Sequence, residues 1–105
     1  MTLDKTELMN FYLDFYGNLL TDKQKEVLEY YYRENYSYTE IAENMEISRS
    51  AVYDLIKRSE ALLENYEEKL NLLKKYTARK ECYEKLNALN IEEVTKLVTE
   101  CIETE

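Results

Sequence analysis

One glycine and no proline in 105 residues is the tightest constraint on this chain. Turns that need a positive φ are built most cheaply from glycine, and hairpins depend on them, so a strand-rich fold lacks its turn material. Leu, Glu, Lys and Ala, good helix formers, recur along the chain. An all-α fold follows, sized for one domain or one domain with a helical appendage.

Hydrophobic spacing sets out the helices. Leu8, Phe11, Tyr12, Phe15 and Leu19 recur at helical intervals, and Gly17 is the expected stop. "TDKQ" from Thr21 is a capping box that opens a second helix through Val27, Leu28, Tyr31 and Tyr32 to about Glu34. "SYTE" from Ser37 opens a short third helix. After a turn at Glu46 and Ile47, Ser48 caps a fourth that shows no stop before Leu73. About 26 residues at roughly 1.5 Å each predict a rod of about 39 Å. Further helices are expected over Arg79–Ala88 and from a cap at Asn90, the last with Ile91, Val94, Leu97, Val98, Cys101 and Ile102 on one face. The expected organisation is a helix-turn-helix domain over residues 1–75, with its motif at 37–58. A helical extension over 76–105 packs on that domain or on a partner chain.

The motif is carried by "SYTEIAENMEISRSAVYDLIKR". Two helices crossing steeply over a short turn demand a small residue at the crossing and apolar neighbours. Ala42 is that small residue, and Ile41, Met45, Ile47, Val52 and Leu55 are the expected motif core. Glu46 stands at the turn position that glycine usually fills, at a cost in backbone strain. If the second helix enters a major groove, Arg49 is placed to meet a guanine edge and Ser50 a base or phosphate. Tyr53 and Asp54 complete the outward face, Lys57 and Arg58 suit phosphates, and Ser48 and Thr39 offer hydroxyls to the backbone. The competing reading is an ordinary solvated helix face.

Charge qualifies the DNA reading. The chain carries 22 acids and 14 bases, a net charge of −8, and non-specific DNA affinity rests on neutralised phosphates. Residues 49–58 hold three bases and one acid, so the recognition face alone is locally positive. A weak or partner-assisted DNA binder fits this balance. Enzyme chemistry does not: there is no histidine, one glycine cannot build a phosphate loop, and the acids sit in solvated helical runs. No cofactor or metal is expected. Cys82 and Cys101 lack ligand or redox spacing and read as small buried hydrophobes. Acids at Asp4, Glu7 and Asp14 differ from the basic start of a secretion signal, and no apolar run matches a membrane span. A cytoplasmic location is the expectation.

"LLTDKQKEVLEYYYRENYSYTEIAENMEISRSAVYDLIKRSEALLENYEEKL", Leu19 to Leu70, resembles region 4 of bacterial sigma factors. "NFYLDFYGNLLTDKQ", "YYY" before "SYTEIAE", and "SRSAVYDLIKRSEALLENYEEKL" resemble more closely the YlxM family of small bacterial helix-turn-helix proteins. That resemblance implies a sigma region 4-like fold with an amino-terminal helix, a long recognition helix and carboxy-terminal helices. It also implies a DNA-binding regulatory role linked to the signal recognition particle pathway, whose GTPase genes adjoin the family's genes. The DNA-facing role carries over to Ser48, Arg49, Ser50, Tyr53, Asp54 and Lys57. Tyr53 and Asp54 depart from the more basic residues of many sigma factors. The stripe Leu62, Leu63, Tyr66, Leu70 and Leu73 is the expected dimer surface, unless the amino-terminal helix covers it. The alternative function is a protein–protein or ribonucleoprotein adaptor, serving the signal recognition particle or RNA polymerase, that uses the fold without reading DNA.

Overall fold

The computed structural model describes residues 3–105, which form six α-helices and no strand. They are α1 (Lys5–Tyr16), α2 (Asp22–Tyr32), α3 (Tyr38–Met45), α4 (Arg49–Leu70), α5 (Leu72–Asn87) and α6 (Glu92–Glu103). No helix among the described residues is long and apolar enough to cross a membrane. Contacts divide the chain into one unit ending at Leu73 and a second over Lys74–Glu105.

Caps set most of the helix starts. The Asp4 carboxylate accepts from the Glu7 amide at 2.8 Å. Thr21 with Gln24, and Ser37 with Glu40, close complete capping boxes, as their spacing predicts. Ser48 accepts from the Ala51 amide at 3.1 Å and starts α4. In the first unit α1, α2 and α3 all pack on α4. Val27, Leu28, Ile41, Val52, Ile56 and Leu63 are fully buried there. Ala42 is buried at the crossing of the motif, while Met45, Ile47 and Leu55 at its rim keep part of their surface.

Several boundaries differ from the sequence expectation, each for a physical reason. The buried side of α1 is Met9, Tyr12, Leu13 and Tyr16, one residue round from the expected stripe; Leu8, Phe11 and Phe15 are half-exposed and Leu19 is exposed. Both stripes have helical spacing, and packing against α2 and α4 chooses between them. Gly17 is not a left-handed stop: its φ is −54° and it opens a 3-10 turn over Gly17–Leu19. The left-handed positions fall instead on Asn35, Glu46, Asn71 and Asn90. Asparagine visits that region more readily than most residues.

Asn71 has the largest consequence. With φ 55° it ends α4 at Leu70, after 22 residues, so the rod is about 33 Å long and the break precedes the one expected. α5 then begins at Leu72 rather than near Arg79. Asn90, expected to cap α6, is itself left-handed; Ile91 takes the cap position without a side-chain hydrogen bond. Cys82 and Cys101 are both exposed, not buried.

The junction of α4 and α5 is tied to α1. The Tyr16 hydroxyl donates to the Glu67 carboxylate at 2.6 Å and accepts from the Leu72 amide at 3.0 Å. Glu67 also accepts from the Leu73 amide at 3.0 Å. Two amides at the start of α5 thus find partners in α1 and α4. Leu63 and Leu73 are buried within this unit. Of the stripe expected to meet a second chain, only Leu62, Tyr66 and Leu70 retain surface.

Two outcomes test this account. Glu46→Gly removes a side chain from a left-handed position and should stabilise the fold by about 0.5–1 kcal/mol, read as a higher urea midpoint. Burial and the bond to Glu67 raise the Tyr16 hydroxyl from its ordinary value of 10.0 to about 12. The folded chain holds that proton more tightly than the unfolded one, so the stabilisation is complete below pH 10 and is lost as pH rises through 12. Ultraviolet titration should show Tyr16 ionising after the bulk of the tyrosines.

Candidate nucleic-acid interface

α3 and α4 present the helix-turn-helix, joined through the left-handed Glu46. Its amide donates to the Ala42 carbonyl, as does that of Ile47 at 3.1 Å, which closes the turn without glycine. The outward residues Thr39, Arg49, Ser50, Tyr53, Asp54, Lys57 and Arg58 are all exposed. A spacing of four sorts those on α4 into two ridges. Arg49, Tyr53 and Lys57 form one ridge; Ser50, Asp54 and Arg58 form the other. Arg58 lies with Gln24, Ala61, Leu62 and Asn65 around a separate shallow cleft, away from Lys57. The three bases are therefore brought together only in part.

Local electrostatics set the start of α4 apart from those of the other helices in the first unit. α1, α2, α3 and α6 each carry an acid in the first turn, where it satisfies the positive end of the helix. α4 and α5 carry none, and α4 opens with Arg49, which has no ion-pair partner among the described residues. The start of α3 is already occupied, because Glu40 accepts from the Ser37 amide at 3.1 Å. Ser48 is likewise engaged as a cap, and its hydroxyl lies 3.2 Å from that of Ser50. The capping duty of Ser48 makes it a positioner of Arg49 and Ser50 more than a contact in its own right.

The first ridge runs into a feature that spacing did not disclose. Lys57 places its ammonium 5.5 Å from the Tyr53 ring centre, and Tyr53 meets Tyr38 edge-on at 6.1 Å. Tyr38 stacks on Tyr31 at 5.5 Å, and Tyr30 stacks on Tyr36 at 5.1 Å. Beside these rings lies a polar cleft of about 280 Å³ lined by Lys5, Thr6, Tyr31, Asn35, Tyr38 and Lys57. At its base Glu60 is 6% exposed. The Tyr32 hydroxyl donates to Glu60 Oε1 at 2.5 Å, while Lys5 and Lys57 approach Oε2 at 3.2 and 3.9 Å. Burial first, then this bond, push the Tyr32 hydroxyl far above its ordinary range, so it remains a donor. Lys5 lies more than fifty residues from Glu60 in sequence. Eleven tyrosines point to half-buried aromatic layers and interfaces, and the sequence does not place them.

The comparisons with known proteins agree with this geometry. The family model for helix-turn-helix proteins described as YlxM / p13 like matches residues 3–101. UPF0122 protein YlxM of Bacillus subtilis (strain 168) is 53% identical over 103 residues, covering 93% of this chain and 94% of that protein. A UPF0122 protein of Bacillus velezensis is 55% identical over 89 residues, covering 85% and 81% of the two chains. One from Exiguobacterium sibiricum is 52% identical over 91 residues, covering 87% and 86%.

The Glu60 network sets the stability of the platform behind the ridge. Tyr32→Phe strips a buried carboxylate oxygen of its donor and should cost about 1–3 kcal/mol in urea unfolding. Asp54→Asn, on the exposed ridge, should stay within about 0.5 kcal/mol of the parent chain.

Proposed function

The chain belongs to the YlxM / p13-like family of helix-turn-helix proteins, and from that premise we propose that it is a DNA-binding regulatory protein reading duplex DNA through α4. The observation that carries this reading is the acid-free start of α4, where Arg49, without an ion-pair partner among the described residues, leads the ridge of Tyr53 and Lys57. Arg49 and Ser50 approach base edges, Lys57 a phosphate, and Thr39 the backbone across the groove. Asp54 between Ser50 and Arg58 limits how much phosphate the second ridge neutralises. The overall charge of −8 keeps sequence-independent affinity low. Two chains act together, since paired recognition helices meet two half-sites. The pathway served is that of the signal recognition particle, in line with the resemblance described above.

A second reading is favoured by one observation. Tyr30, Tyr31, Tyr36 and Tyr38 are half-exposed and stacked in pairs, and tyrosine surfaces of this kind suit protein or ribonucleoprotein contact. On that reading the fold is an adaptor and α4 does not read sequence.

Charge reversal separates the two. Arg49→Glu with Lys57→Glu should abolish retention of duplex DNA at low salt. The single change Lys57→Gln should flatten the salt dependence of binding by about one phosphate. A parent chain that retains no duplex at low salt, while a natural protein or ribonucleoprotein partner still co-purifies with the doubly reversed variant, sinks the DNA reading in favour of the adaptor.

A further inference from the structure

Glu60 is the only charged residue buried among the described residues, with its side chain 7% exposed. A carboxylate taken from water needs a counter-charge, and the Tyr32 hydroxyl on Oε1 supplies a donor but no charge. Two ammonium groups meet at Oε2 instead, Lys5 at 3.2 Å and Lys57 at 3.9 Å. No other cation among the described residues lies within ion-pair distance of Glu60. The three charges sum to +1, so one cation is more than Glu60 requires. Distance decides which. Lys5 sits at the edge of hydrogen-bond range and Lys57 beyond it, so Lys57 can leave without orphaning the carboxylate.

Lys57 also has somewhere to go. Its side chain is 46% exposed, and its ammonium lies 5.5 Å from the Tyr53 ring centre on the ridge led by Arg49. Lys57 and Glu60, three residues apart on one helix, are neighbours whenever α4 is formed. Lys5 instead opens α1, outside the helix-turn-helix, and reaches Glu60 only because α1 packs on α4. Without Lys5, Lys57 is the one cation left for Glu60, and its charge is drawn inward from the ridge.

We propose that Lys5 is a positioning residue for the α4 ridge: as the standing counter-ion of Glu60, it keeps Lys57 free to turn outward to a phosphate. The consequence for DNA rests on the function given above, whereas the exchange of counter-ions at Glu60 does not. The docking of α1 thereby sets the charge of a ridge to which α1 contributes no residue.

Two measurements test this, the first without DNA. Lys5 lies at the exposed start of α1, so Lys5→Met should keep the helicity of the parent chain. Acylation by a limiting amine reagent, located by peptide mass, should slow several-fold at Lys57 in Lys5→Met. Exposed Lys23 should react as in the parent and serves as the internal reference. In duplex retention, Lys5→Met should weaken affinity several-fold and lower the salt slope by about one phosphate. Glu60→Gln keeps an acceptor for Tyr32 and removes the charge that draws Lys57 in. Adding Lys5→Met to Glu60→Gln should then change affinity by less than about twofold. A loss that persists in that background makes Lys5 a phosphate contact itself and overturns the proposal. Unchanged affinity in Lys5→Met, with the parent chain retained, overturns it as well. So does unchanged labelling of Lys57 in Lys5→Met, which decides the matter even if Glu60→Gln does not fold. A parent chain that retains no duplex while Lys57 labelling still slows sinks the DNA reading and supports the exchange at Glu60.

Discussion

Two glutamates seven residues apart on α4, Glu60 and Glu67, each receive a tyrosine hydroxyl from another helix: Tyr32 of α2 and Tyr16 of α1. The rest of the first unit is arranged around these bonds. A carboxylate taken from water costs several kcal/mol unless donors replace the water, so its position dictates where those donors stand. Tyrosine fits because it fills core volume with its ring and carries the donor at the end of it. Eleven tyrosines in so short a chain cease to be a curiosity of composition. Tyr16 and Tyr32 are core residues that also serve carboxylates on α4.

The same arrangement sets the geometry of the second helix of the motif. α4 is one rod from the motif to the α5 junction, and its far half is held by Tyr16 and Tyr32 through the two glutamates. Its near half then needs only the cap at Ser48 and the packing of Ile41, Ala42 and Val52 to fix the angle of Arg49, Tyr53 and Lys57. Lys57 belongs to both halves, since it faces Tyr53 on one side and Glu60 on the other. Lys5 also neutralises Glu60, which leaves that carboxylate a counter-ion when Lys57 turns outward.

The helices of the motif were legible because their signals are local: capping boxes at Thr21 and Ser37, a cap at Ser48, and a small residue at position 42. What was not legible depended on choices that local pattern leaves degenerate. α1 carries two adjacent apolar stripes of equal spacing, and only the partner helices decide that Met9 and Tyr16 go inward. Asn71 interrupts an apolar pattern that runs unbroken from Leu62 to Leu73, and one left-handed asparagine leaves no trace in periodicity. The Lys5–Glu60 pair joins residues too distant in sequence for any motif to couple them. Cys82 and Cys101 are exposed although cysteine is usually buried, because among residues 74–105 only Val98 is buried.

The tyrosine array also makes the protein its own optical instrument. There is no tryptophan to collect excitation energy, so ultraviolet light absorbed by any ring is emitted by tyrosine or passed to another tyrosine nearby. Tyr31, Tyr38 and Tyr53 lie in sequence at centre distances of 5.5 and 6.1 Å, short enough for that transfer to be efficient. Excitation taken up by the half-exposed rings Tyr31 and Tyr38 migrates among them and reaches Tyr53, the exposed member beside Lys57 on the ridge of α4. A molecule settling on that ridge darkens more of the emission than one ring's share, and its arrival is visible without any label.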